Sequence, residues 1–244
     1  AHTIGDPTIG PRVAALWHQE RQNGVDPLTL NVPVKYFTYQ GDPDSSSMQE
    51  PILYRYGFKD LVREEFEAAL LSPTWQADQI VNLLDAYLAA HLTQPTTFEM
   101  MLNALSNPKP QPQDKTQMSW TVSGVAGTWH QGTIRALRNR LHGFLSRATH
   151  VIARTAPHGQ PVRLTAMEEG FNVIQIYRLT EAEKRLVVNA VLREIASALE
   201  LPNPPFSRVL IVADELNKYA PRGGESPIKE QILDVVARGR DLRL

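Results

Sequence analysis

The chain has 244 residues, 42% hydrophobic and 21% charged, with a net charge of −1, the proportions of a globular protein holding one large domain or two small ones. No run approaches the ~20 apolar residues of a membrane span, and the absence of cysteine excludes a disulfide framework or a thiolate metal site. The near-zero charge excludes a uniformly basic nucleic-acid binder, and the cysteine-free composition fits a cytoplasmic protein with no membrane partner.

Residues 1–31 show little periodicity and read as loop or as a short helix around Val13 to Glu20. Val32 to Tyr39 (VPVKYFTY) is rich in β-branched and aromatic residues and predicts a strand that ends in the turn GDPDSSS. DLVREEFEAALL, TWQADQIVNLLDAYLAAHL and TTFEMMLNAL then carry helical spacing, the last opening on a capping box from Thr96 to Glu99. NPKPQPQD predicts an exposed loop. TIRALRNRLHGFL predicts a helix with Leu137, Leu141 and Leu145 on one face and Arg135, Arg138 and His142 on another.

The last third alternates. Asn172–Tyr177 reads as a strand, and TEAEKRLVVNAVLREIASALE as a long helix capped by Thr180 and Glu183. Val209–Ala213 reads as a further strand, and SPIKEQILDVVARG as a helix with Ser226 as N-cap, Pro227 in the first turn and Gly239 as C-cap. Strand, helix, strand, helix implies an α/β fold with a mainly parallel sheet flanked by helices. A helical block from about Asp60 to Ser106 interrupts it. The expected organisation is a partial α/β core over 1–58, a helical insertion with an Arg-rich helix over 59–148, and a second part of the core over 149–244.

Charge is unevenly spread. From Lys115 to Met167 there is no Asp or Glu, while Lys115, Arg135, Arg138, Arg140, Arg147, Arg154 and Arg163 supply positive charge. Such a stretch predicts either an anion-attracting face or a solvated helix balanced by acids elsewhere in the fold. The histidines lack metal-ligand spacing and read as structural. The tryptophans and tyrosines form no recognisable platform for stacking single-stranded bases.

The strand Val209–Ala213 runs directly into Asp214 and Glu215. Beyond the carboxyl end of a parallel strand, adjacent acids can serve phosphoryl chemistry: one assists a hard cation, the other orients and activates water. An acid at a strand end also caps helices in many α/β proteins, so the pair alone leaves both roles open.

Three blocks taken in order resemble the HerA–FtsK group of ring-forming ATPases, and HerA-like proteins most closely. They are TIRALRNRLHGFLSRATHV, GFNVIQIYRLTEAEKRLVVNAVLREI and RVLIVADELNKYAPRGGESPIKEQILDVVARGRDLRL, which together cover roughly residues 130–244. The resemblance implies a RecA-like P-loop NTPase sheet with a helical insertion, and a Walker B strand ending at Asp214. It implies ATP and Mg²⁺ as cofactors, Asp214 assisting Mg²⁺ and Glu215 as general base. Arg240, or else Arg238, would be an arginine finger for a neighbouring subunit of a hexamer. It further implies a DNA translocase or helicase acting on double-stranded DNA in repair or phage defence, commonly beside a nuclease partner, with Arg135, Arg138 and Arg147 as candidate phosphate contacts.

The family's phosphate loop is missing: no GxxxxGK[ST] occurs, and GVAGTWHQGT has the glycines without the lysine. In the family that loop lies upstream, so the chain reads as an interior piece of a longer ATPase, inactive alone. The alternative is a non-catalytic α/β module whose basic segment binds nucleic acid or a protein partner.

Overall fold

The computed structural model describes residues 33–48, 50–70, 78–111, 119–206 and 209–212, together with residues 229, 232, 233 and 237. In chain order they form β1 (Val34–Thr38), β2 (Ile52–Leu53), α1 (Arg63–Leu70), α2 (Asp78–Ala90), α3 (Phe98–Ser106), β3 (Lys109–Pro110), β4 (Ser119–Thr121), β5 (Trp129–His130), α4 (Gln131–Arg147), β6 (Phe171–Ile174) and α5 (Glu181–Leu199).

β1 sits between β2 and β6, and both pairings are parallel. Its register sets Phe37 opposite Ile52 on one side and Ile174 on the other, so Phe37 is buried where three strands meet. The expected strands at Val32–Tyr39 and Asn172–Tyr177 are therefore neighbours in one parallel sheet, each somewhat shorter than its apolar run. The protein is α/β, with this sheet flanked by helices.

The helices follow their apolar stripes. On α4, Ile134, Leu137, Leu141, Phe144 and Leu145 are buried at three- and four-residue spacing, and α4 lies against α1, α2 and α3. Leu186, Val187, Ala190, Val191 and Ile195 bury one side of α5, which packs on α1 although more than a hundred residues separate them. Aromatic rings fill the space between. Phe58 meets Phe66 at 5.0 Å, Phe98 at 5.5 Å and Tyr87 at 6.2 Å between centroids, at tilted or edge-on angles favoured by ring quadrupoles.

Several expectations need correction. The N-cap of α3 is Thr97, whose hydroxyl accepts from the Met100 N–H, and not Thr96. Glu99 cannot complete the expected box because its carboxylate is taken by Arg154. The proline-rich loop is not wholly irregular either. Lys109 and Pro110 form β3, the outer strand of a small antiparallel sheet with β4 and β5. An edge position tolerates proline, which has no N–H to give the ladder.

The largest correction concerns Val209–Ala213. Among the described residues, 209–212 pair with no strand, and Leu210, Ile211 and Val212 are 88%, 37% and 85% exposed; Ala213 lies outside the described residues. β-propensity expresses fit to a half-buried pleated surface, and among the described residues no strand stands beside this run. The helix expected after Ser226 is met at Lys229, Ile232, Leu233 and Ala237, all helical; its caps Ser226 and Gly239 lie outside the described residues.

One buried residue stands out on α5. Asn189 is fully buried and, among the described residues, neither polar atom of its side chain has a hydrogen-bond partner. An unsatisfied buried amide costs ~1–3 kcal/mol. Asn189→Leu, branched alike but somewhat larger, is expected to raise the unfolding free energy measured in urea by up to that amount, and a lowered value would show that the amide is satisfied in solution.

Candidate functional site

In a parallel α/β sheet the carboxyl ends of the strands are where ligands are met. Here that edge is built by the turn after β1. Gly41 takes φ 84°, which glycine adopts without penalty, and turns the chain so that Asp42 folds back under the strand. The Thr38 hydroxyl donates to Asp42 Oδ2 at 2.6 Å, and the Asp44 N–H donates to Oδ1 at 3.0 Å. Asp42 thereby caps the one-turn 3-10 helix Pro43–Ser47. Its carboxylate is spent on structure.

Tyr39, Tyr54, His150 and Glu183 gather beside it. The Tyr39 ring stands edge-on to Tyr54 at 6.4 Å and to His150 at 5.8 Å. Tyr54 donates its hydroxyl to the Gln175 carbonyl at 2.7 Å, tying the end of β2 to the end of β6. Glu183 is fully buried. Its Oε2 accepts from both the N–H and the hydroxyl of Thr180 at 2.9 Å, the capping box expected from the sequence.

Its other oxygen, Oε1, lies 3.5 Å from His150 Nδ1, within electrostatic contact but without hydrogen-bond alignment. Among the described residues, Oε1 and His150 Nδ1 are thus buried polar atoms without hydrogen-bond partners, and the Tyr39 hydroxyl is buried near the Arg178 backbone without a well-aligned bond. Burial, then the nearby Asp42, pushes the Tyr39 phenol above its ordinary value. Burial pushes the Tyr54 phenol far higher, helped by Tyr56, Tyr39, Glu183 and Asp42. Both stay neutral as donors at physiological pH. Glu183 Oε1, His150 Nδ1 and the Tyr39 hydroxyl are enclosed rather than open to solvent, and they form an internal polar cluster at the sheet edge. Among the described residues, no group of three or more histidine or acidic side chains is placed to hold a metal ion.

The acid-free segment is resolved by α4. Two of its cations are neutralised: Arg154 by Glu99 and Arg163 by Glu194. Arg135 and Arg147 are exposed and Arg138 is half-buried. None of the three, nor Arg140, has a carboxylate partner among the described residues. Arg138 is held by Asn139 Oδ1 at 2.8 Å, and Arg147 donates to the Gly143 carbonyl at 2.9 Å. Arg135, Arg138 and His142 share a face, as expected. Arg147 does not, because its offset from Arg135 leaves it roughly a third of a turn away at 3.6 residues per turn. Arg140 shares its side. The helix therefore carries arginines on two flanks rather than in one line.

Asp214, Glu215, Arg238 and Arg240 lie outside the described residues. The glycines of GVAGTWHQGT turn the hairpin between β4 and β5, Gly124 at φ 79° and Gly127 at φ 96°. An antiparallel hairpin is not the strand-to-helix turn of a phosphate loop, which agrees with the missing lysine. His130 has a local duty: its Nδ1 accepts the Gly132 N–H at 3.1 Å and caps α4. Sequence reasoning singled out Glu183 only as a cap and passed over Tyr39, Asp42, Tyr54 and His150. The GDP turn after an apolar strand was the available signal for Asp42; nothing local marks the others. No protein-family model matches the chain, and no curated protein matches it.

Proposed function

We propose that the protein is a segment of a HerA-like, DNA-translocating ATPase, with α4 as a surface that meets duplex phosphates. The observation that supports it most directly is α4: four arginines without carboxylate counter-ions among the described residues, in a protein with a parallel α/β sheet. A helix flank of unneutralised guanidinium groups attracts a polyanion and gains from the counterions released when it binds.

The finer parts of the reading rest on the order of sequence motifs. The core is of RecA-like P-loop type and acts with ATP and Mg²⁺ in a hexamer. Asp214 assists the metal, Glu215 positions the attacking water, and Arg240, with Arg238 as runner-up, reaches a neighbour's nucleotide. The second reading, a non-catalytic α/β module that binds nucleic acid, is favoured by the position of Leu210–Val212, exposed and off the sheet.

Both readings use α4, so DNA binding tests the shared part. Replacing Arg135, Arg138 and Arg147 by alanine is expected to weaken duplex binding and flatten its salt dependence by ~0.9 logarithmic units per lost phosphate contact. An unchanged slope in the triple variant would return α4 to the role of a solvated face. DNA-stimulated ATP hydrolysis by the full-length protein then separates motor from module.

A further inference from the structure

His158 lies away from both α4 and the sheet edge, on a loop pressed against the residues that follow β2. Its side chain is 70% exposed, whereas that of Asp60 beneath it is 2% exposed. The His158 Nδ1 sits 3.2 Å from Asp60 Oδ1. The other oxygen, Oδ2, accepts the backbone N–H groups of Gly57 at 2.8 Å and Gly159 at 2.6 Å. An ionised carboxylate only accepts, so Nδ1 is the nitrogen that donates, and the neutral ring keeps its lone pair on Nε2.

The loop is fixed against displacement. Arg55 N–H donates to the Gln160 carbonyl at 2.9 Å and Lys59 N–H to the Pro157 carbonyl at 2.8 Å. The two backbones approach so closely that a Cβ on Gly57 would lie 2.5 Å from the Pro157 oxygen, and one on Gly159 2.3 Å from the Arg55 oxygen. Only glycine fits at either position.

The surrounding charges decide what the ring is suited to. Arg163 lies 4.0 Å from Asp60 Oδ1 but is paired with Glu194 at 3.0 Å. Arg193 donates to the Asp60 carbonyl and to Glu65. Three carboxylates thus face two guanidinium groups. With the imidazole neutral the carboxylates exceed the guanidinium groups by one, so the cluster gives an anion no electrostatic pull and any gain in reactivity comes from the ring itself. The cluster suits an electron-rich ring whose bare nitrogen faces solvent.

The geometry points to His158 Nε2 as a nucleophilic modification site for phosphoryl donors, with Asp60 as its positioning residue. With phosphoramidate as donor, the Nε2 lone pair attacks phosphorus and an N–P bond forms as the donor's own P–N bond breaks. The leaving group departs as ammonia, because the zwitterionic donor already carries that proton. Nδ1 keeps its hydrogen toward Asp60, whose carboxylate balances the positive charge that the ring acquires. This site is independent of the ATPase reading.

The test uses the whole chain, phosphoramidate at neutral pH and mass-spectrometric mapping of phosphohistidine. His158 is expected to label ~10-fold faster than exposed His142, by analogy with the lower end of what a carboxylate partner contributes to a metal-binding histidine. Asp60→Asn should bring the two rates together. Because Asp60 also holds two backbone N–H groups, that variant could fail to fold, so the native protein supplies a second readout. Long-range ¹H–¹⁵N correlation should show the neutral His158 ring protonated at Nδ1. Equal labelling of His158 and His142 in the native chain, or an Nε2–H tautomer, overturns the proposal.

Discussion

On the proposed ATPase reading, Glu215→Gln is expected to keep ATP and Mg²⁺ binding while hydrolysis falls by ~10²–10⁴-fold, the usual contribution of a positioned general base. The amide preserves size and part of the hydrogen bonding, so nucleotide affinity should change little. Arg240→Ala should lose ~10³–10⁵-fold in turnover for a different reason, since the missing charge belongs at a neighbour's transferring phosphoryl group. Mixing the two inactive proteins under conditions of subunit exchange then creates some interfaces with Glu215 and Arg240 both intact. Partial recovery of hydrolysis would place the arginine in trans; the same experiment with Arg238→Ala distinguishes the two candidates. Normal turnover by Glu215→Gln would assign the acid pair to structure and leave the nucleic-acid-binding module as the reading.

The parts of the fold that the sequence revealed are those with a local period. VKYFT and FNVI carry the β-branched and aromatic side chains that suit a pleated surface, and they became β1 and β6. The leucines of α4 and the capping box of α5 announced both helices within two residues of their observed ends. Val209–Val212 has the same composition as a strand, yet composition does not say whether a partner strand will stand beside it. The site was less legible still. Tyr54 reaches Gln175 and His150 reaches Glu183 across long stretches of chain, and Asp60 finds His158 only because two glycines let separate backbones touch. Contacts of that kind leave no spacing to read. Even α4 was legible only in part. Its period predicted which arginines share a face, but not that Arg154 and Arg163 would leave the patch through Glu99 and Glu194.

Arg193→Ala is expected to cost ~3–5 kcal/mol of stability, because it strands a buried charge rather than removing a surface pair. Glu65 is wholly buried, and Arg193, 28% exposed, donates Nε to Glu65 Oε1 at 2.7 Å, joining α5 to α1. The other Glu65 oxygen accepts the Val62 N–H at 2.6 Å, so the side chain cannot swing out without uncapping α1. Burial already holds this carboxyl above its ordinary value of 4.5, with Arg193 as the strongest influence pulling it back down. A carboxyl raised in the folded state favours folding fully below its unfolded value and loses that contribution as pH rises through the folded one. Removing Arg193 raises the folded value further, so the penalty must grow from acid to neutral. Urea unfolding at about pH 4 and about pH 7 should therefore show a small deficit at the first and most of the loss at the second. Adding Glu65→Leu should recover part of the stability and abolish the difference between the two pH values, since a leucine at 65 leaves no charge to desolvate. A deficit equal at both pH values, or one that Glu65→Leu deepens, would mean that Arg193 acts through its hydrogen bond to the Asp60 carbonyl and its packing on α1, with the ion pair contributing nothing.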